Sequence, residues 1–164
     1  FGRIGRYTTK LLLAHPSIKL VAINDLADKS AIAHLLKYDS VHGKFDSVVK
    51  LVADKLIVTN QEIDLLSKSD PKDLPWKDLN IDVVIECTGR FTHREGANLH
   101  LLAGAKKVII SAPSQEDSIP MVVMGVNDHL LDGSEPIVSN ASCTTNCLAP
   151  MIQVLHQQFG VVKG

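Results

Sequence analysis

Apolar positions recur along the chain at two spacings, and the alternation between them lays out the elements. A helical stripe over Tyr7 to His15 is stopped by Pro16, and Ile18-Lys19-Leu20-Val21-Ala22-Ile23 reads as a buried strand. Ala31, Ile32, Leu35 and Leu36 make one face of a second helix within Ala27 to Lys37. From Val48 to Leu66 the pattern shortens to three runs, Val48–Val52, Leu56–Val58 and Ile63–Leu66. These predict antiparallel strands inserted into the alternating order. A Pro-containing loop from Ser69 to Trp76 follows. The alternation then resumes with a strand over Ile81–Cys87, a helix over Arg94–Ala103 and a strand over Lys107–Ser111. Two further strands are predicted at Met121–Val126 and Ile137–Val138. A final helix carries Leu148, Met151, Ile152, Leu155 and Phe159 on one face.

Strands alternating with helices imply an α/β fold of Rossmann type, a doubly wound and mostly parallel sheet. Phe1-Gly2-Arg3-Ile4-Gly5 supplies the last two glycines of a G-x-G-x-x-G fingerprint, with the first glycine and the first strand expected upstream. Asp25 stands twenty residues after Gly5, at the end of the next strand, where a dinucleotide-binding unit places its acidic residue. Gly2 lets backbone approach a pyrophosphate, Gly5 allows close helix–strand packing, and the helix N-terminus faces the negative charge. Asp25 accepts from the ribose hydroxyls and repels a 2′-phosphate, so NAD rather than NADP is the expected cofactor. Arg3, Ile4 and Asn24 join this set by position. In open α/β sheets ligands gather at the carboxyl ends of strands. Thr88, Gly89 and Ser111 fall at such ends and complete the cofactor candidates.

Cys143 stands where the strand Ile137-Val138 gives way to the last helix, among small hydroxyl and amide side chains. The first N–H groups of a helix are unpaired and carry partial positive charge, which favours a thiolate and can hold an oxyanion. A nucleophilic cysteine is one reading, and a small buried cysteine in a Ser/Thr-rich turn is the other. Cys147 lies one turn further on the same side. A disulfide between the two would strain the helix, and a metal would need more ligands nearby. Cys87 reads as buried filler, and His42 as a loop histidine that nothing ties to Cys143.

Composition narrows the class. With 164 residues, 45% hydrophobic and 21% charged, the chain reads as one ordinary globular domain. A formal net charge of -1 gives no basic surplus for nucleic acid. Three cysteines, unevenly spread, do not make a disulfide framework, and a reducing compartment is expected. No apolar run approaches the roughly 18 residues of a membrane span. The chain begins without an initiator Met and closes without a terminal signal, so it is expected to be an internal piece of a longer protein.

The run SNASCTTNCLAP, residues 139–150, is similar residue for residue to the active-site segment of the phosphorylating glyceraldehyde-3-phosphate dehydrogenase family. FGRIGR, VAIND, KYDSVHGKF, the ECTG strand end, GAKKVIISAP and MGVN resemble the family in the same order, across essentially all of the chain. The resemblance implies that residues 1–142 belong to an NAD-binding domain and that 143–164 begin a catalytic domain. It implies Cys143 as the nucleophile, which adds to the aldehyde of glyceraldehyde 3-phosphate and yields a thioester that inorganic phosphate attacks. Ser142 and Thr144 are implied in binding that phosphate, and NAD is implied as the oxidant. Ser69 stands where many relatives have an arginine beside the adenine. A cytoplasmic homotetramer working in glycolysis is implied for the full-length protein.

The family also uses an acid/base histidine from its catalytic half, and none of the seven histidines here has that motif. His156 is nearest in sequence, but thirteen helical residues put it about 20 Å from Cys143. The chain by itself is therefore expected to be inactive. Three other readings compete. A sister enzyme of the same fold oxidises erythrose 4-phosphate, and LADKSAIAHLLKYDS looks somewhat like that branch. An NAD-binding piece without turnover would bind the nucleotide after Cys143→Ser. A cysteine hydrolase would bind no nucleotide at all.

Overall fold

In the computed structural model, which describes residues 1–163, the chain divides into two units, Phe1–Leu79 and the residues from Asn80 onward. The first opens with helix α1, Arg3–Ala14, so the glycine turn runs directly into the helix, and Gly5 lies inside it. The helix starts four residues before the predicted Tyr7. A glycine in the first turn costs little because the N–H groups there have no helical partner to lose. At the other end Pro16 forces His15 into extended backbone, φ -89° and ψ 122°, and the helix stops. Strand β1 is Ala22–Asn24 only, shorter than the predicted run, because its parallel pairing covers three residues. Helix α2, Lys29–Lys37, is capped by Asp28, whose Oδ1 accepts from the amides of Ser30 at 2.9 Å and Ala31 at 3.1 Å.

A two-residue-wide hairpin of β2, Tyr38–Asp39, and β3, Gly43–Lys44, follows, with Gly43 at φ +75° and His42 in its loop. Strands β4, Val49–Val52, β5, Lys55–Val58, and β6, Gln61–Leu66, form the antiparallel meander read from the sequence. They are not an excursion from the sheet. The last of them pairs in parallel with β1, giving the order β1-β6-β5-β4. Alternation aims Leu56, Val58, Ile63 and Leu65 inward while Lys55, Glu62 and Asp64 face out. The inward set packs with Ile23, Ile32 and Leu36 into the core of this unit.

The second unit holds a three-stranded, all-parallel sheet in the order β7-β8-β9: Val83–Glu86, Lys107–Ile110 and Ile137–Ser139. Helix α3, Arg94–Leu102, makes the crossover from β7 to β8. Its fully buried Ala97 packs with Val108, Ile110, Ile119 and Ile137. The strand predicted at Met121–Val126 does not form. One bridge joins Met121 to Ser139, and the chain then turns. Asn127 Oδ1 takes the amide of Val123 at 2.8 Å, and Asp128 Oδ1 takes that of Gly125 at 2.7 Å, with Gly125 at φ +78°. These side chains capture donors that a ladder would have needed. Val122 and Val123 are nevertheless buried, which is why the run read as a strand. Helix α4, Cys143–Phe159, closes the described chain and begins at the cysteine as predicted. It buries none of its residues, and Leu148, Met151, Ile152, Leu155 and Phe159 are exposed.

The parallel strands and crossover helix make this a mixed α/β, Rossmann-type fold. Leu36 is fully buried, whereas Val41 is 82% exposed. In the full-length protein Leu36→Ala should therefore cost about 2–5 kcal/mol and Val41→Ala no more than about 0.5. The displacement of the urea unfolding midpoint measures both, and equal displacements would contradict this core.

Candidate functional site

Parallel pairing in register decides where the chemistry-bearing residues emerge. Glu86 pairs with Ile110 and Ile110 with Ser139, so β7, β8 and β9 all end level with one another. Ladder-type bonds carry the alignment one residue further, from Ser111 N–H to the Glu86 carbonyl at 3.0 Å and from Asn140 N–H to the Ile110 carbonyl at 2.9 Å. Thr88 and Gly89, then Ser111, then Asn140 to Cys143 therefore leave the sheet at a single edge. The structure brings these predicted residues together.

The turn before Cys143 is held from several sides. Ser139, with no exposed surface, donates its hydroxyl to the Ala112 carbonyl at 2.6 Å and accepts the Ala141 amide at 3.1 Å. Ala141 sits at φ +54°, in the left-handed region that an alanine enters at a cost of about 1–3 kcal/mol. Asn146 reaches back from α4, donating Nδ2 to the carbonyls of Asn140 at 2.7 Å and Ser142 at 3.0 Å. Ser142 caps the helix by accepting the Thr145 amide at 2.9 Å, and its hydroxyl lies 2.8 Å from those of Thr144 and Thr145. Cys143 is the first helical residue and is exposed. It stands in sequence between Ser142 and Thr144, at a helix end whose amides can stabilise developing negative charge.

The other two cysteines differ. Cys147 is free and exposed but sits a turn inside α4, away from the first-turn amides. Cys87 is half-buried, and burial pushes its thiol above the usual cysteine value, with a Ser111 hydrogen bond opposing and the Glu86 charge adding to the rise. It is poorly suited to attack at neutral pH.

In the first unit, the Phe1 backbone nitrogen lies against the Asp25 carboxylate, and the glycine turn is alongside the end of β1. Burial works to raise the Asp25 carboxyl, and the hydrogen bonds from the amides of Ala27 and Leu26 work to lower it. A carboxylate at this strand end can accept hydroxyl donors. No side chain caps α1, its first turn holds no acid, and a Cβ at Gly2 would meet nothing within 4 Å. Open backbone N–H groups beside an ionised carboxylate fit a dinucleotide, with pyrophosphate on the helix and ribose on the acid. Arg3 and Ile4 are exposed in that first turn, and the Arg3 side chain lines a cleft with Arg6, Tyr38, His42 and Lys44. The Asn24 side chain binds the 68 backbone, giving Nδ2 to the Lys68 carbonyl at 2.9 Å and taking its amide at 2.8 Å. That pins exposed Ser69 near the end of β1. His42 stacks on Tyr7 with ring centroids 4.3 Å apart, a structural contact.

Four residues of the second unit escape a linear reading: Ser139, Asn146, and the buried pair Glu86 and His100. Glu86 did carry a signal. It occupies an inward position of a strand whose alternate inward residue is Val84, so a charge falls where the pattern asks for an apolar side chain.

Comparison with known proteins bears on these features. Residues 1–94 match the family model described as glyceraldehyde 3-phosphate dehydrogenase, NAD binding domain, and residues 142–164 match that of its C-terminal domain. Similar proteins include glyceraldehyde-3-phosphate dehydrogenase of Geobacillus stearothermophilus, 53% identical over all of this chain and 49% of the relative. That of Thermotoga maritima is 52% identical over all of this chain and 50% of its own length. The cytosolic form from Trypanosoma brucei brucei is 49% identical, again over 49% of its length. The chain spans about half the length of the curated relatives it matches.

Exposure and helix position rank the thiols. In the folded full-length protein, limiting iodoacetamide near neutral pH should modify Cys143 first, then Cys147, with Cys87 last. Peptide mass spectrometry reads the order directly, and earlier labelling of Cys147 would move the nucleophile.

Proposed function

The chain belongs to the glyceraldehyde 3-phosphate dehydrogenase family, and on that footing we propose that the full-length protein oxidises glyceraldehyde 3-phosphate to 1,3-bisphosphoglycerate, using NAD and inorganic phosphate, through a thioester on Cys143. The observation that carries this reading is the exposed thiol at the start of α4, on the same sheet edge as Thr88, Gly89 and Ser111. Cys143 sulfur bonds to the aldehyde carbon, and the first-turn amides of α4 stabilise the oxygen as it gains charge. NAD, when bound, would accept the hydride that must leave the former aldehyde carbon for the adduct to become a thioester. The hydroxyls of Ser142 and Thr144 hold the attacking phosphate, whose oxygen replaces the sulfur and returns the thiol. Gly2, Arg3, Ile4 and Gly5 hold the pyrophosphate at the start of α1, Asp25 takes the ribose hydroxyls, and Asn24 fixes the segment that presents Ser69 to the adenine.

We assign the acid/base histidine to the part of the protein outside this chain, and with it the apolar surface that covers α4. The full-length protein is a cytoplasmic homotetramer in this reading. A relative named as the cytosolic glyceraldehyde-3-phosphate dehydrogenase supports the cytoplasmic part of that reading.

Two substitutions test it in the full-length protein. Cys143→Ser should lower phosphate-dependent NADH formation by roughly a thousandfold or more. Steady turnover by that variant would refute the thioester, and faster turnover of erythrose 4-phosphate by the unmutated protein would reassign the substrate. Like charges opposed at the ribose disfavour NADP, so NAD should be strongly preferred and Asp25→Ala should narrow the preference by about tenfold or more. Equal efficiency with both cofactors before mutation would contradict the role of Asp25.

A further inference from the structure

Glu86 and His100 form a buried ionisable pair that no step above employs. Glu86 ends β7 and is 4% exposed, and His100 on α3 is 5% exposed. Their side chains meet with Nε2 and Oε2 3.1 Å apart. The second carboxylate oxygen, Oε1, accepts the Thr88 amide at 2.5 Å. One side chain thus spans from the crossover helix to the turn that leaves the strand. Phe91 stands edge-on to the imidazole, with ring centroids 6.3 Å apart, so the same turn also packs on His100. Burial alone would raise the Glu86 carboxyl, but hydrogen bonds from His100 and from Thr88 outweigh it and lower it below the usual glutamate value.

Stability alone is a weak reason for this pair. Taking two polar, ionisable groups out of water costs about as much as their attraction returns, and an apolar pair of similar volume often packs as well. What an apolar pair would lack is a grip on the Thr88 amide. Beyond that amide the turn is exposed, and the Thr88 hydroxyl takes the Arg90 amide at 3.0 Å. Gly89 stands at φ +72° with nothing within 4 Å of where a Cβ would be. The turn therefore offers bare backbone to whatever approaches the strand end, and Glu86 fixes its orientation from behind.

The geometry points to Glu86 and His100 as positioning residues for cofactor binding, a pair that anchors the Thr88–Gly89 turn to α3 so that its exposed backbone meets NAD in one conformation. This rests on the reading of Thr88 and Gly89 as cofactor residues. Neither Glu86 nor His100 touches the cofactor, and both act through Thr88.

The test uses the full-length protein, with NAD affinity measured by calorimetry and steady-state constants measured for NAD and aldehyde separately. Glu86→Ala removes the acceptor of the Thr88 amide and opens a gap beside buried His100 and can fail to fold, so Glu86→Asp is the working variant. It keeps the charge but withdraws the carboxylate by one methylene, too short to hold Thr88 and His100 together. Glu86→Gln keeps the length. Its carbonyl accepts the Thr88 amide, and its NH2 donates to the other imidazole tautomer. Glu86→Asp should raise Kd and KM for NAD about tenfold, while kcat at saturating NAD and KM for the aldehyde stay within about twofold. Glu86→Gln should remain within about threefold of the unmutated protein throughout. Wild-type NAD affinity in Glu86→Asp would overturn the inference, as would a loss shared equally by NAD and aldehyde, or a Glu86→Gln variant as impaired as Glu86→Asp. An unmutated protein that bound no NAD would overturn the functional reading first and this inference with it.

Discussion

Level parallel strands are the constraint on which the second unit depends. A parallel ladder sends every strand out at the same edge, and the pairing of Glu86 with Ile110 and of Ile110 with Ser139 leaves no stagger between the three exits. Residues far apart in sequence, Thr88, Ser111 and Cys143, share an edge for that reason alone. Each exit then needs its own device, because beyond the ladder the backbone has lost its partners. Glu86 serves the first, with its carboxylate on the Thr88 amide. Ser139 serves the other two together, with one hydroxyl bonded to the Ala112 carbonyl and the Ala141 amide.

The helix ends show a division of roles. Asp28 caps α2 and Ser142 caps α4, each satisfying first-turn amides from within the chain, an arrangement typically worth about 1 kcal/mol. No side chain does this for α1. A helix that forgoes its cap keeps its N–H groups available to an anion, and Asp25 at the neighbouring strand end offers a carboxylate to hydroxyls. At α4 the cap takes only the Thr145 amide, so part of the first turn is still free to act on an oxygen bonded near Cys143. The left-handed Ala141 costs about 1–3 kcal/mol, which the Ser139 bond and the two Asn146 bonds offset.

Much of this was legible in the sequence because it is local. The helix beginning at Cys143, the meander over β4 to β6 and the strand ends at Asp25, Thr88 and Ser111 each follow from period and turn residues within a short window. The failures trace to partners that a window does not contain. Ile18–Ile23 is apolar enough for six strand residues, but only Ala22–Asn24 find β6. Val122 and Val123 are buried as a strand would bury them, yet Asn127 and Asp128 take the amides and the chain turns. The Ser139 and Asn146 bonds hold a turn whose residues were recognised but whose shape was not. Glu86 and His100 stand fourteen residues apart on a strand and a helix, and only the crossover packing makes them neighbours.

The central claim is that the thiol at the start of α4 carries the acyl group. Full-length protein mixed with NAD and glyceraldehyde 3-phosphate, without inorganic phosphate, can be quenched in acid, digested and mapped by mass spectrometry. A burst of NADH should accompany an acyl adduct on the peptide bearing Cys143, and added phosphate should release it with the thiol restored. An adduct on Cys147 would contradict the claim, as would NADH formation with Cys143 unmodified.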